Sequence, residues 1–398
     1  MRFLHTSDWH LGRSLHRENL LPAQRAFLRH LVQTAEAEQV DAVLVAGDVY
    51  DRAVPSLGAV ELFDEALHAL AALGVPVVLI SGNHDSAQRL GVGAGLVARA
   101  GVHLRTAPDA DALAAPVVLE DAHGQVAVYG LPYLEPALVR QRLAAEEASH
   151  TAVLSAAMDA VRADLAARRA DGAGGAGGAE SADVRAVVLA HAFVIGGEAC
   201  DSERDIAVGG VPSVPASVFE GVDYAALGHL HGCQTINERV RYSGSPLAYS
   251  FSEADHRKSM WLVELGPAGE VSAERIDCPV PRRLARLRGE LEELLTGSAY
   301  EAVEDCWLHV TLTDTARPPQ AMERLRARFP HTLQLAFEPQ GREDDGLRSY
   351  GARVRGRDDG AVALGFVRHV RGADASAAES TLLVTAVEAA ARAAGGEI

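Results

Sequence analysis

Cysteine is scarce in this chain of 398 residues. Its four cysteines, Cys200, Cys233, Cys278 and Cys306, lie far apart and form no C-x-x-C pair. This spacing argues against a disulfide framework and against a cysteine zinc knuckle. So sparing a use of cysteine predicts a reducing, cytoplasmic location.

Long apolar runs and positive charge are also lacking. No run reaches the roughly 18 apolar residues of a membrane span, and the N-terminus enters "RFLHTSDWH" without the features of a signal peptide. Lys and Arg number 37 against 54 Asp and Glu, a formal net charge of −17. We therefore expect no membrane segment. The charge argues against a polycation that coats nucleic acid, but a local basic or metal-lined groove stays open.

What the sequence does contain is a regular alternation of apolar runs and helix-length segments. Strands are predicted at "RFLH", "AVLVAGD" and "VPVVLISGNHD", with helices over residues 22–39 and 56–73. This order predicts βαβ units on a mostly parallel sheet. Ligands bind such sheets outside the carboxyl ends of the strands, which is where the polar residues fall.

The same domain continues to about residue 277, where prolines mark a boundary. Further strands are predicted over 124–133, 184–193, 223–232, 239–244 and 259–265, with an Ala-rich helix over 149–170 and a Gly-rich surface loop over 171–181. Beyond the boundary we predict a helix over 283–295, a strand over 306–314, a helix over 318–328, a strand over 332–339, a polar stretch and two final helices. The last helix opens with a capping box, "SAAE", and places Leu382, Leu383, Ala386 and Val387 on one face. The predicted domains are 1–277, 278–340 and 341–398.

Metal-capable side chains follow the predicted strands of the first domain. In "SDWH", Asp8 and His10 would leave an extended backbone on the same side. One Asp or His at a strand end is ordinary turn chemistry, but the ordered set is specific. Oxygen and imidazole donors without a thiolate favour Mn²⁺, Fe, Zn²⁺ or Mg²⁺. The other members are Asp48 in "VAGD", Asn83, His84 and Asp85 in "SGNHD", His191 in "LAH", and His229 and His231 in "GHLH".

This ordered set resembles the calcineurin-like metallophosphoesterases, and the resemblance covers residues 1 to about 265. It implies an α/β fold, a β-sandwich flanked by helices, followed by a smaller α+β capping domain and C-terminal helices. It also implies two divalent ions, Mn²⁺ before the others, which together activate water and stabilise the reacting phosphate. One ion would be held by Asp8, His10, Asp48 and His231, and the other by Asp48, Asn83, His191 and His229, with Asp48 as the bridge.

Other residues near the motifs have less specific roles. The resemblance implies that His84, which with Asp48 would be catalytic, hydrogen-bonds the phosphate or protonates the leaving oxygen. From its position, Asp85 is expected to orient a neighbouring histidine, and His5 to be a packed core histidine. Three arginines follow the first three motifs and are either phosphate contacts for DNA or solvated loop residues: Arg13, Arg52 and Arg89.

Finer motifs narrow the resemblance to the SbcD nuclease family, a branch related to the double-strand-break repair nucleases. They are "SDWHLGRSLH", "GDVYDRAVPS", "SGNHDSAQRL" and "YSGSPLAYSFSEADHRKSMWLVEL", and "GSPLAYSFSE" discriminates best because a bare metal site does not require it. The resemblance implies a nuclease of DNA repair, recombination and replication. Such enzymes are ATP-dependent 3′ to 5′ exonucleases on duplex ends and endonucleases on single strands and hairpins.

The resemblance also implies partners. The chain would form a homodimer within a heterotetramer that contains an SbcC-type ABC ATPase, and ATP would act only through that partner. Residues 278–340 would contact DNA, and the final helices would dock on the ATPase or pack on their own domain.

Two other functions stay open at this point. One is a small-molecule phosphodiesterase with the same metal site, and the other is a noncatalytic scaffold that regulates an ATPase through its C-terminal helices.

Overall fold

Two six-stranded sheets form the frame of the N-terminal part of the chain in a computed structural model, which describes residues 1–173, 184–203, 213–339, 357–371 and 374–394. The chain divides into two units, Met1–Leu284 and Ala285–Ile398. No helix in the described ranges combines the length and apolarity needed to cross a membrane. All four cysteines are free thiols.

The strands and helices of these ranges follow in chain order. The strands are β1 (Arg2–Thr6), β2 (Ser14–Leu15), β3 (Glu18–Asn19), β4 (Ala42–Ala46), β5 (Val77–Ile80), β6 (Val102–Arg105), β7 (Val117–Asp121), β8 (Gly124–Leu131), β9 (Arg185–His191), β10 (Phe193–Val194), β11 (Ser213–Val214), β12 (Tyr224–Gly228), β13 (Gln234–Thr235), β14 (Val240–Tyr242), β15 (Ser259–Leu265), β16 (Val271–Asp277), β17 (Leu284–Gly289), β18 (Trp307–Leu312) and β19 (Thr332–Phe337). The helices are α1 (Leu21–Ala37), α2 (Leu57–Ala72), α3 (Ala87–Leu90), α4 (Ala94–Val97), α5 (Ala110–Leu113), α6 (Pro136–Val139), α7 (His150–Ala173), α8 (Leu291–Thr296), α9 (Ala321–Arg328), α10 (Asp359–Arg371) and α11 (Ala377–Ala394).

Both large sheets are mixed, with a parallel centre. The first has the order β16-β15-β1-β4-β5-β6 and the second the order β13-β14-β12-β9-β8-β7. Strands β1, β4, β5 and β6 run parallel, as do β8, β9, β12 and β14. Strands β15 and β16 extend the first sheet in antiparallel pairing, and β7 and β13 flank the second in the same way. The predicted α/β fold is confirmed.

The two sheets pack face to face because their strands alternate between two apolar faces. On β1, Phe3 belongs to the core between the sheets and Leu4 to the core on the outer face. Strand β9 does the same with Val187 inside and Val188 outside. This period of two is what a strand buried on both sides requires.

Helices cover both outer faces of the sandwich. Helix α1 begins beside a proline, which suits the first helical turn, and buries Phe27, Leu28 and Leu31 against the first sheet together with residues of α2. Helix α7 covers the second sheet, where Met158 and Val161 are fully buried. The expected β-sandwich flanked by helices is therefore present.

The C-terminal unit holds a three-stranded sheet of β17, β18 and β19 with helices α8 and α9. The helix predicted over 283–295 is wrong, because residues 284–289 form β17 and only Leu291–Thr296 is helical. Leucines at 284, 287, 291 and 294 have helical spacing. Within β17, however, Leu287 is buried between exposed Arg286 and Arg288, which is strand alternation.

The last helix is capped as predicted. The backbone N–H of Ser376 donates to Glu379 Oε2 at 2.9 Å, and the N–H of Glu379 donates to Ser376 Oγ at 3.3 Å. The predicted apolar face is only partly right, since Leu383 and Val387 are half-buried whereas Leu382 is 71% exposed.

The predicted Gly-rich surface loop and the polar stretch over 340–360 fall largely outside the described residues. Of the Gly-rich loop over 171–181, the first three residues are the end of α7, and the remainder is not described. The same holds for most of the polar stretch, residues 340–356.

A buried arginine ties the two sheets together at one end. Arg185 is 2% exposed and donates to both carboxylate oxygens of Asp121, at 3.1 and 2.5 Å. It also donates to the carbonyl oxygens of Leu265 and Gly266, at 3.4 and 3.3 Å. Asp121 ends β7 in the second sheet and Leu265 ends β15 in the first, so one guanidinium bonds to both sheets.

We expect Arg185→Met to lower the free energy of unfolding by about 2 kcal/mol or more, because Asp121 loses a bidentate partner and the carbonyls of Leu265, Gly266 and Gly124 lose a donor. Urea unfolding followed by circular dichroism measures the change. Arg25→Met is the matched control, since Arg25 pairs with Glu65 on the surface, where the side chains are 46% and 56% exposed. The control should change the free energy by less than about 1 kcal/mol. Equal losses in the two variants would contradict the role assigned to Arg185.

Candidate metal centre

The seven side chains predicted as metal ligands meet at one edge of the sandwich. Parallel strands of both sheets end at this edge, so ligands from one sheet face ligands from the other. Asn83 is half-buried, and the other six are at most 4% exposed. Asp8 and His10 follow β1, Asp48 follows β4, Asn83 follows β5, His191 ends β9, and His229 and His231 follow β12.

Four of these residues have a backbone conformation that L side chains rarely adopt. The φ angles are 52° at Asp8, 44° at His10, 50° at Asp48 and 109° at His229. Each such residue costs on the order of 1–3 kcal/mol and persists only where its surroundings impose it. The backbone at Asp8 and His10 is therefore not extended, and left-handed turns rather than strand alternation direct both side chains to the cluster.

Backbone hydrogen bonds impose these turns. The loop after β1 runs beside the loop after β4, and the N–H groups of Asp8 and His10 donate to the carbonyls of Gly47 and Asp48, both at 3.0 Å. The N–H of Leu11 donates to Val49 O at 2.9 Å. The two loops thus continue the parallel pairing of their strands past the cluster.

Two glycines of the motifs allow the close approach of the chain segments. A Cβ atom on Gly228, at the end of β12, would lie 1.9 Å from the carbonyl oxygen of Ala46 in the other sheet. A Cβ on Gly82 would lie 2.1 Å from Asp48 Oδ1. Any larger residue at either position would push the candidate ligands apart.

One group of ligands contains Asp8, His10 and His231. The Nε2 atoms of the two histidines lie 3.0 Å apart. The Asp8 carboxylate accepts from the backbone N–H of His229 at 3.1 Å to each oxygen, and from Ser7 Oγ at 2.5 Å. These bonds hold the carboxylate beside the imidazoles, so that one ligand atom from each of the three residues lies within 4.8 Å of the others.

A second group contains Asn83, His191 and His229. Asn83 Oδ1 lies 2.9 Å from His191 Nε2 and 3.3 Å from His229 Nδ1. The other nitrogen of His191, Nδ1, lies 2.9 Å from the carbonyl of Ala46 and can only donate to it. His191 Nε2 therefore carries the lone pair.

Asp48 lies between the two groups. Its Oδ2 atom is 3.6 Å from His10 Nε2 and 3.6 Å from His191 Nε2, while Oδ1 accepts from the backbone N–H of His84 at 2.8 Å. This is the position that a carboxylate shared by two ions must occupy.

The spacing of the donor atoms fits divalent ions. Two nitrogen ligands about 2.1 Å from one ion and at right angles lie about 3 Å apart, and wider angles increase the separation. The separations of 2.9 to 3.6 Å around Asn83 and Asp48 fall in this range. Carboxylate, carboxamide and imidazole donors suit divalent metals of the Mn²⁺, Zn²⁺ and Mg²⁺ type.

The electrostatics of the cluster also favour a bound cation. Burial and the Asp48 carboxylate raise the pKa of Asp8 well above its ordinary value. Burial and the neighbouring His231 and His84 rings lower the pKa of His10 well below its ordinary value. The His10 imidazole is therefore neutral, which is the form that binds a metal ion, and a cation would relieve the repulsion between the carboxylates.

His84 lies at the rim of the cluster in a defined orientation. Its Nδ1 lies 2.9 Å from the carbonyl oxygen of Asp51, so Nδ1 carries the proton of that hydrogen bond. Its Nε2 lies 3.9 Å from Asp48 Oδ2. The ring thus presents Nε2 to the cluster.

Asp85 does not orient a histidine as expected. Its Oδ2 accepts from the backbone N–H groups of Val49 and Gly82, at 3.1 and 2.9 Å, and its Oδ1 accepts from Tyr50 at 2.9 Å. One carboxylate therefore joins the loop that carries Asp48 to the loop that carries Asn83. Its support of the cluster is indirect, through backbone amides.

His5 is a core histidine, as predicted. It is fully buried, with Nε2 at 3.0 Å from Leu227 O and Nδ1 at 2.9 Å from Tyr224 Oη. The carbonyl accepts from Nε2, so Nδ1 accepts from the tyrosine hydroxyl. Burial lowers the pKa of His5 to about 3, and the ring is neutral.

The three arginines proposed as DNA contacts differ in their surroundings. Arg13 is engaged within the protein, where it donates to Ser202 O at 2.8 Å and lies over the Tyr249 ring. Arg52 has 80% of its side chain exposed, and Arg89 donates to Ala53 O at 2.9 Å from an exposed position. The structure thus favours Arg52 and Arg89 over Arg13 as surface contacts.

Two residues that the sequence argument missed support the loop after β1. Gln24, fully buried on α1, donates to His10 O at 2.8 Å and accepts from the N–H of Gly12 at 3.1 Å. The Tyr249 hydroxyl donates to Trp9 O. A glutamine on the apolar face of a helix is a signal that could have identified Gln24.

Comparison with protein families agrees with this site. Residues 1–141 match the family described as calcineurin-like phosphoesterase. Residues 280–369 match the SbcD_C family, described as the Type 5 capsule protein repressor C-terminal domain.

Several solved structures are similar to the chain. TT1561 of Thermus thermophilus is 14% identical with a TM-score of 0.37, over 69% of this chain and 98% of that one. A dimetal phosphatase from Danio rerio is 14% identical with a TM-score of 0.39, over 70% and 99%. A novel archaeal phosphodiesterase is 12% identical with a TM-score of 0.29, over 69% and 100%.

The family matches and the ligand geometry lead to one conclusion. Residues 1–141 are similar to the calcineurin-like phosphoesterases, a family of metal-dependent phosphoester hydrolases, and residues 280–369 are similar to the SbcD_C family.

Proposed function

We propose that this protein is a two-metal DNA nuclease of the SbcD type that acts in DNA repair, recombination and replication. The observation that carries the proposal is the position of Asp48, whose Oδ2 lies 3.6 Å from Nε2 of both His10 and His191. One carboxylate between two imidazole-containing groups is the arrangement that a two-ion phosphodiesterase needs. The SbcD_C match supports DNA as the substrate within the phosphoesterase class.

Two groups of residues would each bind one divalent ion, and Mn²⁺ is the first candidate. Asp8, His10 and His231 would hold one ion, Asn83, His191 and His229 the other, and Asp48 both. Bound there, two divalent ions supply an activated water and positive charge for the reacting phosphate.

An acidic chain repels an anionic substrate, but two bound divalent ions would make the site itself positive. Two divalent ions carry four positive charges and the carboxylates of Asp8 and Asp48 two negative ones, which leaves +2 in the site. A charged cleft of this kind attracts a phosphodiester locally, although the whole chain has a net charge of −17.

His84 is proposed to hydrogen-bond the phosphate or to protonate the leaving oxygen. The Asp51 carbonyl holds its Nδ1, so only Nε2 is free to meet the substrate. A proton on Nε2 would then be directed into the site.

The partners remain part of the proposal. We infer a homodimer bound to an SbcC-type ABC ATPase in a reducing cytoplasm, with ATP acting through that partner. Residues 278–340 would contact DNA, and α10 and α11 would dock on the ATPase. Exposed apolar side chains on these helices, Val370 at 62% and Leu382 at 71%, support a docking role.

Asp48→Ala tests the nuclease proposal. We expect it to abolish Mn²⁺-dependent cleavage of end-labelled duplex and single-stranded DNA, because both ions lose a shared ligand. Asp64→Ala, a change at a 69% exposed acid of α2, is the matched control and should cleave as the unmodified protein does. Both variants are assayed with and without an SbcC-type partner, and a chromogenic phosphodiester serves as a second substrate. Turnover of the diester with DNA intact in every assay would instead favour a small-molecule phosphodiesterase.

His84→Asn separates catalysis from metal binding. The ring nitrogen that faces the site is lost but no proposed ligand changes, so we expect cleavage to fall about 100-fold or more. The Mn²⁺ affinity from isothermal titration calorimetry should stay unchanged. Near-normal cleavage would contradict the role of His84, and loss of an ion would identify His84 as a ligand.

A further inference from the structure

A buried ion pair lies behind His231, in the "GSPLAYSFSEADHRK" segment for which the sequence argument found no role. Glu253 ends a short 3₁₀ turn, and Lys258 precedes β15. They are 1% and 4% exposed, and the Lys258 ammonium donates to Glu253 Oε2. Such a pair is costly to desolvate and adds little net stability, so it suggests another role.

Both members of the pair make hydrogen bonds that connect them to His231. Lys258 Nζ also donates to the carbonyl of His231 at 2.9 Å, which holds the backbone of that residue. Glu253 Oε1 accepts from Ser202 Oγ at 2.5 Å and from the N–H of Tyr249 at 3.0 Å. The Ser202 hydroxyl lies 2.7 Å from His231 Nδ1.

These contacts determine the tautomer of His231. A serine hydroxyl has a single hydrogen, and Ser202 directs it to Glu253, which can only accept while it is ionised. Toward Nδ1 the hydroxyl oxygen can therefore only accept, so Nδ1 carries the hydrogen. The lone pair then lies on Nε2, which is 3.0 Å from His10 Nε2.

We propose that Glu253, acting through Ser202, is a positioning residue that holds His231 as the Nδ1–H tautomer and presents its Nε2 lone pair to a divalent ion. The inference rests on the metal site of the proposed function. It explains why a motif outside the ligand set contains a buried glutamate and lysine. Residues that orient a ligand in this way commonly change metal affinity by about 10–100-fold when they are replaced.

The test is a Mn²⁺ titration of the full chain by isothermal titration calorimetry. Ser202→Ala removes the hydroxyl that bridges Glu253 and His231 and leaves only the longer direct contact, 3.4 Å from Glu253 Oε1 to His231 Nδ1. It should weaken one of the two binding events about 10–100-fold and leave the other unchanged. Ser202→Thr keeps the hydroxyl and should restore the affinity.

A second variant addresses the ion pair itself. Glu253→Met combined with Lys258→Met removes both charges together, so that neither is left buried alone, and it should weaken the same binding event. Asp164→Asn is the matched control, because Asp164 is a partly buried carboxylate that bonds Tyr129 and Arg168 away from the cluster. It should bind both ions as the unmodified protein does. Thermal unfolding without metal shows which variants fold.

The outcomes separate this inference from the proposed function. Unchanged binding of both ions by Ser202→Ala and by the double variant would overturn the positioning role, even if DNA cleavage is confirmed. Equal weakening of both ions, or the same loss in Asp164→Asn, would also overturn it by indicating a general structural effect. Selective loss of one ion supports the positioning role even if the unmodified protein does not cleave DNA. A chain that binds no ion would refute both proposals.

Discussion

The site depends on one constraint, the close approach of two sheets at the edge where their parallel strands end. Asp8, Asp48 and Asn83 come from the first sheet, and His191, His229 and His231 come from the second. Neither sheet alone presents both groups of ligands. The approach is close enough that only glycine fits at Gly228, where the backbone of β12 meets the carbonyl of Ala46.

Polar side chains beneath the site hold its loops in unfavourable backbone conformations. Asp8, His10 and Asp48 have positive φ angles, each of which costs free energy. Asp85 and Gln24 offset this cost by satisfying backbone groups of the same loops. The ligands are therefore positioned by hydrogen bonds within the protein, which is how a precise first coordination sphere is usually supported.

The candidate centre combines groups that would be unstable if charged alone. Burial and repulsion favour a neutral His10 imidazole and oppose ionisation of Asp8. A pair of divalent ions would satisfy the carboxylates and the lone pairs together, and would give an acidic chain a positive pocket. Charge compensation also occurs beside the ligands, because the Lys258 ammonium and the Glu253 carboxylate form an ion pair next to His231.

The sequence by itself determined the α/β class, most strand and helix positions, and the set of residues that meet at the site. Apolar runs and ordered polar strand ends are local signals, and the structure contains strands and candidate ligands at the positions that they predict. It misjudged residues 283–295, where sheet pairing overrides leucines at helical spacing, and it assigned Asp85 the wrong partner. Only the tertiary structure decided the left-handed turns, the position of Asp48 between the two groups of candidate ligands, and the hydrogen bonds that connect Glu253, Ser202 and His231. Those features arise from contacts between segments more than 20 residues apart, which no local pattern encodes.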